Sequence, residues 1–262
     1  MTGRHAGKPR LIVTIDGPAG TGKSSVASQL AKRLDLDFLD TGAMYRAVAA
    51  VAIDREIDWQ DHNSVVDVAV DSDMHFDFST DPPELIAYGA PVTRRLRDAD
   101  VTGLVSSIAG IPGLRRYLVR QQRMIAASHP RLVTEGRDQG SVAFPDAEAK
   151  FYLDATPAVR ARRRADQLRA AGRSVDEAVL CREIIERDRS DSTRADGPLM
   201  CADNARRIDT SSLSLEQVVD VLEKLVRLSG AGVDPGTGGT GEAVAESGSV
   251  RFVSPGVRAD RS

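Results

Sequence analysis

The sequence is poor in the residues that form most metal and redox sites. Its 262 residues include two cysteines and four histidines. Cys181 and Cys201 fit no metal-binding or redox spacing, so we predict that both are reduced thiols. The histidines are scattered along the chain without the spacing of metal ligands. A zinc, iron–sulfur or disulfide-based protein is therefore not predicted.

Aromatic residues, excess charge and long apolar runs are scarce too. Aromatic residues make up 4% of the chain, too few for base-stacking platforms, and the net charge of −3 argues against a general polyanion-binding surface. An arginine-based RNA-binding protein is thus a weak alternative. No run approaches the roughly 20 apolar residues that span a bilayer, and residues 1–10 lack a signal-peptide core. We expect a cytoplasmic monomer with no nucleic-acid or membrane partner.

What the sequence does contain is a phosphate-binding loop. The motif G-x-x-x-x-G-K-S begins at Gly17, between the apolar run 11–15 and a helical pattern. Its glycines let backbone N–H groups point inward, and the helix N-terminus adds partial positive charge. We predict that Lys23 is catalytic and reaches the outer phosphates of a bound triphosphate, and that the Ser24 hydroxyl ligates Mg²⁺. The predicted phosphate-binding residues are Gly17, Pro18, Ala19, Gly20, Thr21, Gly22, Lys23, Ser24 and Ser25.

Strands and helices alternate after this loop, which predicts an α/β fold with a parallel sheet covered on both faces. Strands are predicted at about 10–16, 36–39, 131–135, 150–153 and 207–209. Helices are predicted at about 23–34, 43–54, 61–70, 98–109, 112–128, 156–171, 174–188 and 214–228, the seventh opened by a capping box at Ser174.

Between about 57 and 105 a segment with a different residue pattern interrupts the alternation of strands and helices. Period-two alternation at 74–78 and 84–88 predicts a small antiparallel sheet, with a turn at 89–91 and a third strand at 92–93. The two ends of the chain, 1–9 and 229–262, lack periodicity, and we predict that both are disordered. The folded domain is therefore predicted at 10–228.

Polar residues cluster where the predicted strands end, which is where ligands of such sheets bind. Asp40 and Thr41 follow the second strand, and Glu135, Arg137 and Asp138 end the middle one. A carboxylate near a phosphate loop can hold Mg²⁺ through water or orient a nucleophile. Glu135 and Asp138 both fit this description, and the sequence does not separate them.

Arginines form a second polar cluster at 187–194. On spacing alone this is a solvated helix end with ion pairs, and the same holds for the arginines at 160–164. A chain that passes a phosphoryl group between two nucleotides must, however, neutralise about six to eight negative charges. With a phosphate loop present, we predict that Arg187 and Arg194 are catalytic and stabilise the transferring group.

Several strings in this order resemble the bacterial cytidylate kinase family. They are IDGPAGTGKS at 15–24, LDTGAMYR at 39–46, EGRD at 135–138 before FPDA at 144–147, the 186–194 segment before Pro198, and IDTS at 208–211. The resemblance covers about 9–228. It implies an adenylate-kinase-like P-loop fold with a five-stranded parallel sheet, in which ATP·Mg²⁺ donates a phosphoryl group to CMP or dCMP. It also implies that the insert at about 57–105 binds the monophosphate and that about 157–173 forms a lid.

The resemblance further implies roles for individual residues. Ser106 and Arg115 match positions that hold the cytosine ring, and Asp191 matches one that contacts the sugar. Gln139 and Ser141 depart from the family, which more often has an aliphatic residue and a threonine there. The CMP-binding residues predicted in this way are Thr41, Tyr45, Arg46, Ser106, Arg115, Arg137, Asp138 and Asp191.

Two alternatives share the phosphate loop. A shikimate- or adenylate-type kinase would have the same donor half, but the insert and LDTGAMYR favour a pyrimidine monophosphate as acceptor. A GTPase-like switch would need an N-K-x-D string for guanine, and the sequence has none. We therefore expect direct phosphoryl transfer to a monophosphate, without a covalent enzyme intermediate.

Overall fold

The computed structural model describes residues 7–170 and 172–229. Within these residues the chain forms eight strands and eight helices, a 3₁₀ turn at Arg95–Arg97 and a π-helical turn at Gln139–Ala143. The strands are β1 (Leu11–Asp16), β2 (Asp37–Asp40), β3 (His75–Asp77), β4 (Glu84–Ala87), β5 (Ala90–Pro91), β6 (Arg131–Gly136), β7 (Ala149–Asp154) and β8 (Arg206–Asp209). The helices are α1 (Lys23–Leu34), α2 (Thr41–Asp54), α3 (His62–Asp71), α4 (Ala99–Ile108), α5 (Pro112–Ser128), α6 (Pro157–Ala170), α7 (Glu177–Ser192) and α8 (Leu215–Leu228).

Five strands pair in parallel in the order β2-β6-β1-β7-β8, which confirms the predicted sheet. The central strand β1 is buried along its whole length, as expected for a strand covered on both faces. In register, Asp16 lies beside Gly136 of β6 and Tyr152 of β7, and Asp40 lies beside Glu135. The polar strand ends predicted to form a site therefore meet at one edge of the sheet.

Helices pack on both faces because successive strand residues point to opposite sides. Leu11, Val13 and Ile15 of β1 pack in one core with α1 and α8. Ile12 packs in the other core, with residues of α2, α3, α4 and α5. Each fully buried aliphatic side chain contributes about 1.5–3 kcal/mol, so these two layers fix the positions of the strand ends.

A three-stranded antiparallel sheet lies within the predicted insert, in the order β3-β4-β5. The first two strands confirm the alternation at 74–78 and 84–88, but the third strand at 92–93 is wrong. The strand is Ala90–Pro91, and Tyr88 and Gly89 form the turn with φ values of +51° and +72°. Two positive φ values match the twist of a tight hairpin, and Pro91 is tolerated because it lies on an edge strand. The bounds 57–105 stay a prediction.

The seventh helix differs from the prediction at both ends. Its N-cap is Asp176, whose carboxylate accepts two first-turn backbone N–H groups at 2.8 and 3.3 Å, so the capping box at Ser174 is wrong. The helix continues to Ser192, one turn beyond the predicted end near 188. This extra turn places Arg187 and Asp191 on one helical face.

The predicted disordered ends lie mostly outside the described residues, at 1–6 and 230–262. Among the residues that the structure does describe, helices long and apolar enough to cross a membrane are absent.

Candidate active site at the carboxyl edge of the sheet

The phosphate loop turns sharply between β1 and α1. Gly17, Gly20 and Gly22 have φ values of +145°, +82° and +88°, a region that L side chains rarely adopt. A Cβ atom at Gly17 would also overlap the carbonyl oxygen of Leu153 in β7. The loop ends at the N-terminus of α1, where free backbone N–H groups favour an anion.

Lys23 lies at the start of α1 and is only 5% exposed. Its Nζ donates a 2.8 Å hydrogen bond to the Pro18 carbonyl oxygen. Burial lowers the pKa of Lys23 to about 7; Arg137 acts in the same direction and Glu135 opposes it. An anionic phosphate beside the ammonium group would restore its charged form.

Ser24 and Glu135 bring a hydroxyl and a carboxylate together beside the loop. The Ser24 Oγ donates to Glu135 Oε1 at 2.8 Å. Burial raises the pKa of Glu135, and Asp40 adds to this, whereas Lys23 and Arg137 lower it. The described residues contain no group of three or more His, Cys, Asp and Glu side chains able to hold a metal. A hydroxyl–carboxylate pair does fit Mg²⁺, which keeps several waters and takes other ligands from phosphates.

The start of α2 is fixed to the end of β6. Thr41 donates from its hydroxyl to the carbonyl oxygen of Glu135 at 2.6 Å. Asp40 is the N-cap, accepting the Ala43 N–H at 2.8 Å, and its other oxygen accepts from Arg46 Nη2, also at 2.8 Å. The Arg46 guanidinium is thereby held at the carboxyl edge of the sheet.

A buried ion pair links α5 to the segment after β6. Nη2 of Arg115 contacts Oδ2 of Asp138, and the two residues are 2% and 5% exposed. Nη1 of Arg115 also donates to the Tyr45 hydroxyl at 3.4 Å and to the Ala109 carbonyl at 3.3 Å. Gly197, at φ +58°, packs so closely that a Cβ there would overlap both members of the pair. Nε of Arg115 has no partner among the described residues, so one buried donor is left for a ligand.

Tyr45 contacts this pair through Arg115, and Ser106 lies on α4. Burial raises the pKa of Tyr45 to about 12, and the neighbouring Arg115 only partly offsets it. Ser106 is half-buried, one turn before the carbonyl that Arg115 contacts. Its hydroxyl makes no hydrogen bond within residues 7–170 and 172–229, so the structure does not join Ser106 to the pair.

Asp191 of α7 bridges Arg137, predicted to bind CMP, and Arg194, predicted to act on the transferring group. Its Oδ2 accepts from Arg137 Nε at 2.9 Å, and its Oδ1 contacts Nη2 of Arg194. Although burial opposes its ionisation, the two guanidinium groups hold the pKa of Asp191 below its usual range.

Arg187 differs from every other arginine predicted for the site. Its Nε is buried, and its guanidinium makes no hydrogen bond or ion pair with the residues that the structure describes. Burial lowers the pKa of Arg187 to about 10, and Arg137 adds to this effect. Arg187 as a whole is half-buried. A partly desolvated cation without a hydrogen-bonded anion is costly, so Arg187 is the clearest candidate for binding an anionic ligand.

Two further helices contact the phosphate loop through Arg160 and Asp188. Arg160 of α6 donates from Nη1 to the Ala19 carbonyl at 3.0 Å and pairs with Asp188 Oδ2 at 2.5 Å. Asp188 of α7 accepts the Ala19 N–H at 3.3 Å. Both polar groups of this loop residue are therefore held by one ion pair.

The sequence reasoning missed contributors that only long-range contacts define. One of them is Gly197. Another is a basic cluster formed by Arg46, Arg97, Arg164 and Arg173. Burial lowers the pKa of Arg164, and the three other arginines lower it further. The run of arginines at 160–164 drew attention to Arg164 in the sequence. No sequence pattern, however, linked Arg164 to Arg97 of the predicted insert.

A parallel sheet with a phosphate loop after its central strand, and with lysine and arginines converging on that loop, defines a P-loop small-molecule kinase. The family model described as cytidylate kinase matches residues 13–228, and the chain belongs to that family. It is accordingly an ATP-dependent nucleoside monophosphate kinase, as the sequence predicted.

Curated relatives agree with this assignment. A cytidylate kinase of Corynebacterium glutamicum is 43% identical over 221 residues, covering 84% of this chain and 95% of the relative. One of Mycobacterium avium is 42% identical, covering 83% and 95%. One of Pelotomaculum thermopropionicum is 44% identical, covering 80% and 93%.

Proposed function

We propose that this protein transfers the γ-phosphoryl group of ATP to the 5′-phosphate of CMP or dCMP, giving ADP and CDP or dCDP. The observation that carries this is the convergence of cations from both halves of the site. Arg137 after β6 and Arg187 of α7 both lie close enough to lower the pKa of Lys23 in the phosphate loop, and Arg137 also lowers the pKa of Arg187. Such a cluster suits the charge on a transferring phosphoryl group.

On the donor side, the backbone of Gly17 to Ser25 binds the ATP phosphates, and Lys23 exchanges its Pro18 carbonyl for a phosphate oxygen. Ser24 would hold Mg²⁺ directly and Glu135 through water; Asp138 is less suited because Arg115 already pairs with it. The bound ion supplies further neutralisation of phosphate charge. Between the donor and acceptor sides, Arg187 and Arg194 stabilise the equatorial oxygens of the transferring group as its bond to ADP breaks.

On the acceptor side, Thr41, Tyr45, Arg46 and Arg137 bind CMP, and Asp191 contacts its sugar while orienting two arginines. Cytosine donates from its amine and accepts at N3 and O2. Asp138 and Ser106 accept from the amine, and Arg115 and Ser106 donate to the ring. Uracil reverses the polarity at N3 and position 4, which would leave buried groups unpaired.

The chemistry needs neither a nucleophilic side chain nor a general base. The acceptor phosphate oxygens are already anionic, so one of them attacks in line once the two nucleotides are aligned. Positioning and charge neutralisation then account for catalysis.

A coupled ADP-release assay with AMP, GMP, UMP, CMP, dCMP and no acceptor tests the proposal. We expect release with CMP and dCMP and weak release with UMP. Equal kcat/KM for UMP and CMP would overturn the cytosine assignment, and release without acceptor would point to an ATPase.

We also propose that the enzyme acts as a cytoplasmic monomer. ATP and CMP are both substrates of cytoplasmic metabolism. Light scattering after size-exclusion chromatography tests this: a dimer mass at assay concentration would contradict it.

A further inference from the structure

Asp16, the last residue of β1, has no place among the proposed nucleotide contacts, yet it is 4% exposed and fully hydrogen-bonded. Its Oδ1 accepts the Gln139 N–H at 2.8 Å, and its Oδ2 accepts the Gly140 N–H at 2.7 Å. A carboxylate that takes two consecutive backbone N–H groups holds the start of the π-helical turn as an N-cap holds a helix.

The π-helical turn packs against β1 without spare room. A Cβ at Gly140 would lie 3.0 Å from Thr14 Oγ1, 3.3 Å from Asp16 Oδ2 and 3.3 Å from Lys150 Cδ. Gln139, which departs from the family pattern, is 1% exposed; it accepts from Thr134 at 3.0 Å and donates to Gln122 of α5 at 3.3 Å. The turn is therefore held by polar contacts from β1, β6 and α5.

This turn also fixes Asp138, the residue directly before it. The Asp138 carbonyl oxygen accepts the Val142 N–H at 2.8 Å, inside the same turn. Contacts thus run without a gap from Asp16 through the turn to the Asp138 carboxylate and on to Arg115. The electrostatics of Asp16 agree with this chain of contacts. Burial raises the pKa of Asp16 to about 7; Asp138 raises it further, and Lys23 lowers it. Asp16 therefore lies between Lys23 of the donor half and Asp138 of the acceptor half.

The donor loop does not depend on Asp16 in the same way. Gly17 is held against Leu153, and Ala19 is held by the Arg160–Asp188 pair. Loss of the Asp16 carboxylate would therefore release the acceptor-side turn before the phosphate loop. We propose that Asp16 is a positioning residue that sets the place of Asp138, and so the selectivity for cytosine. This inference rests on the acceptor role given to Asp138 above.

Asp16→Asn is the first test. It keeps the shape of the side chain but replaces one carboxylate oxygen with an NH₂ group, which cannot accept a hydrogen bond from the backbone N–H that it faces. Gly140→Ala is the second, because it pushes the turn away while leaving the carboxylate intact. Glu148→Gln is the matched control: Glu148 accepts the Ile12 N–H at 2.7 Å at the opposite end of β1. Asp138→Asn is the reference for a lost base contact.

For Asp16→Asn and Gly140→Ala we expect KM for CMP to rise about tenfold and the CMP/UMP ratio of kcat/KM to fall by a similar factor, because small misplacements of positioning groups cost up to about a hundredfold. KM for ATP should stay within about twofold, and Glu148→Gln should change only thermal stability. If Asp16→Asn does not fold, Gly140→Ala decides.

If the CMP/UMP ratio of kcat/KM stayed unchanged in Asp16→Asn and Gly140→Ala but fell in Asp138→Asn, the role of Asp16 would be overturned. The acceptor assignment of Asp138 would then still stand. An unchanged ratio in Asp138→Asn would show that the acceptor assignment itself is wrong, and the inference would fall with it.

Discussion

The donor and acceptor halves of the site hold their shape by different means. In the donor half the backbone sets the shape of the phosphate loop. Three glycines adopt positive φ, and the hydrogen bonds to Pro18 and Ala19 are made to main-chain groups. In the acceptor half charged side chains hold one another: Arg115 with Asp138, and Asp191 with both Arg137 and Arg194.

This difference teaches where each half is vulnerable. A backbone cradle is encoded over a few adjacent residues and fails when a glycine or its lysine is replaced. A set of buried ion pairs fails when either partner is lost, because the other is left buried and uncompensated. Substitutions in the acceptor half should therefore change selectivity and stability together, and those in the donor half should mainly change turnover.

The largest effect should come from Lys23→Met in the donor half. We expect kcat to fall about a thousandfold, because a preorganised charge on the transferring group is removed. KM for CMP should change little. Lys32→Met, at an exposed position of the same helix, is the control. ADP release at saturating substrates measures the effect, and turnover within tenfold of wild type would remove Lys23 from the mechanism.

Arg187→Met should separate activity from stability. We expect kcat to fall about a hundredfold. The melting temperature should not fall, because the substitution removes a half-buried cation that makes no hydrogen bond or ion pair with the described residues. Exposed Arg182 on the same helix supplies the control, Arg182→Met. A clear loss of thermal stability in Arg187→Met would show that Arg187 has a structural role instead.

Arg194→Ala should lower both activity and stability. We expect kcat to fall about a hundredfold, as for Arg187→Met. Thermal stability should fall as well, because Asp191 loses one of its two ion-paired arginines. Turnover measured on purified protein decides the catalytic role: near-wild-type kcat would exclude it.

Gly197→Ala tests the acceptor half alone. A Cβ there would overlap Arg115 and Asp138, so kcat/KM for CMP should fall about tenfold or more while KM for ATP stays unchanged. Gly89→Ala carries the same positive-φ strain with no heavy atom within 4 Å, and serves as the control. Equal losses for both substrates would mean that the two halves are not separable.

The smallest effect should come from Ser24→Ala. We expect the Mg²⁺ concentration for half-maximal rate to rise about tenfold, as when one ligand contact of a metal is lost. Ser28→Ala, at a half-buried position one turn further along α1, should leave it unchanged. A metal titration at fixed ATP measures this, and EDTA should abolish turnover in every variant. An unchanged titration would assign the metal contact elsewhere.

Agreement between sequence and structure follows the range of the interactions. The strand Leu11–Asp16 and the helices Lys23–Leu34 and Leu215–Leu228 were predictable because their signals lie within a few residues. The third insert strand and the N-cap of α7 were missed because competing turn and cap residues stood two positions apart. The π-helical turn had no local signal, since contacts from Asp16, Gln122 and Thr134 hold it.

The sequence by itself determined the donor half, the α/β class and the kinase family. Glycine spacing, a following lysine and alternating apolar patterns are local and carry their own physical meaning. Only the tertiary structure decided which charges meet. Arg137 and Arg194 share Asp191, Arg115 pairs with Asp138, and Arg187 makes no hydrogen bond or ion pair with the described residues. Such pairings depend on strand order and helix packing, which join positions far apart in the chain.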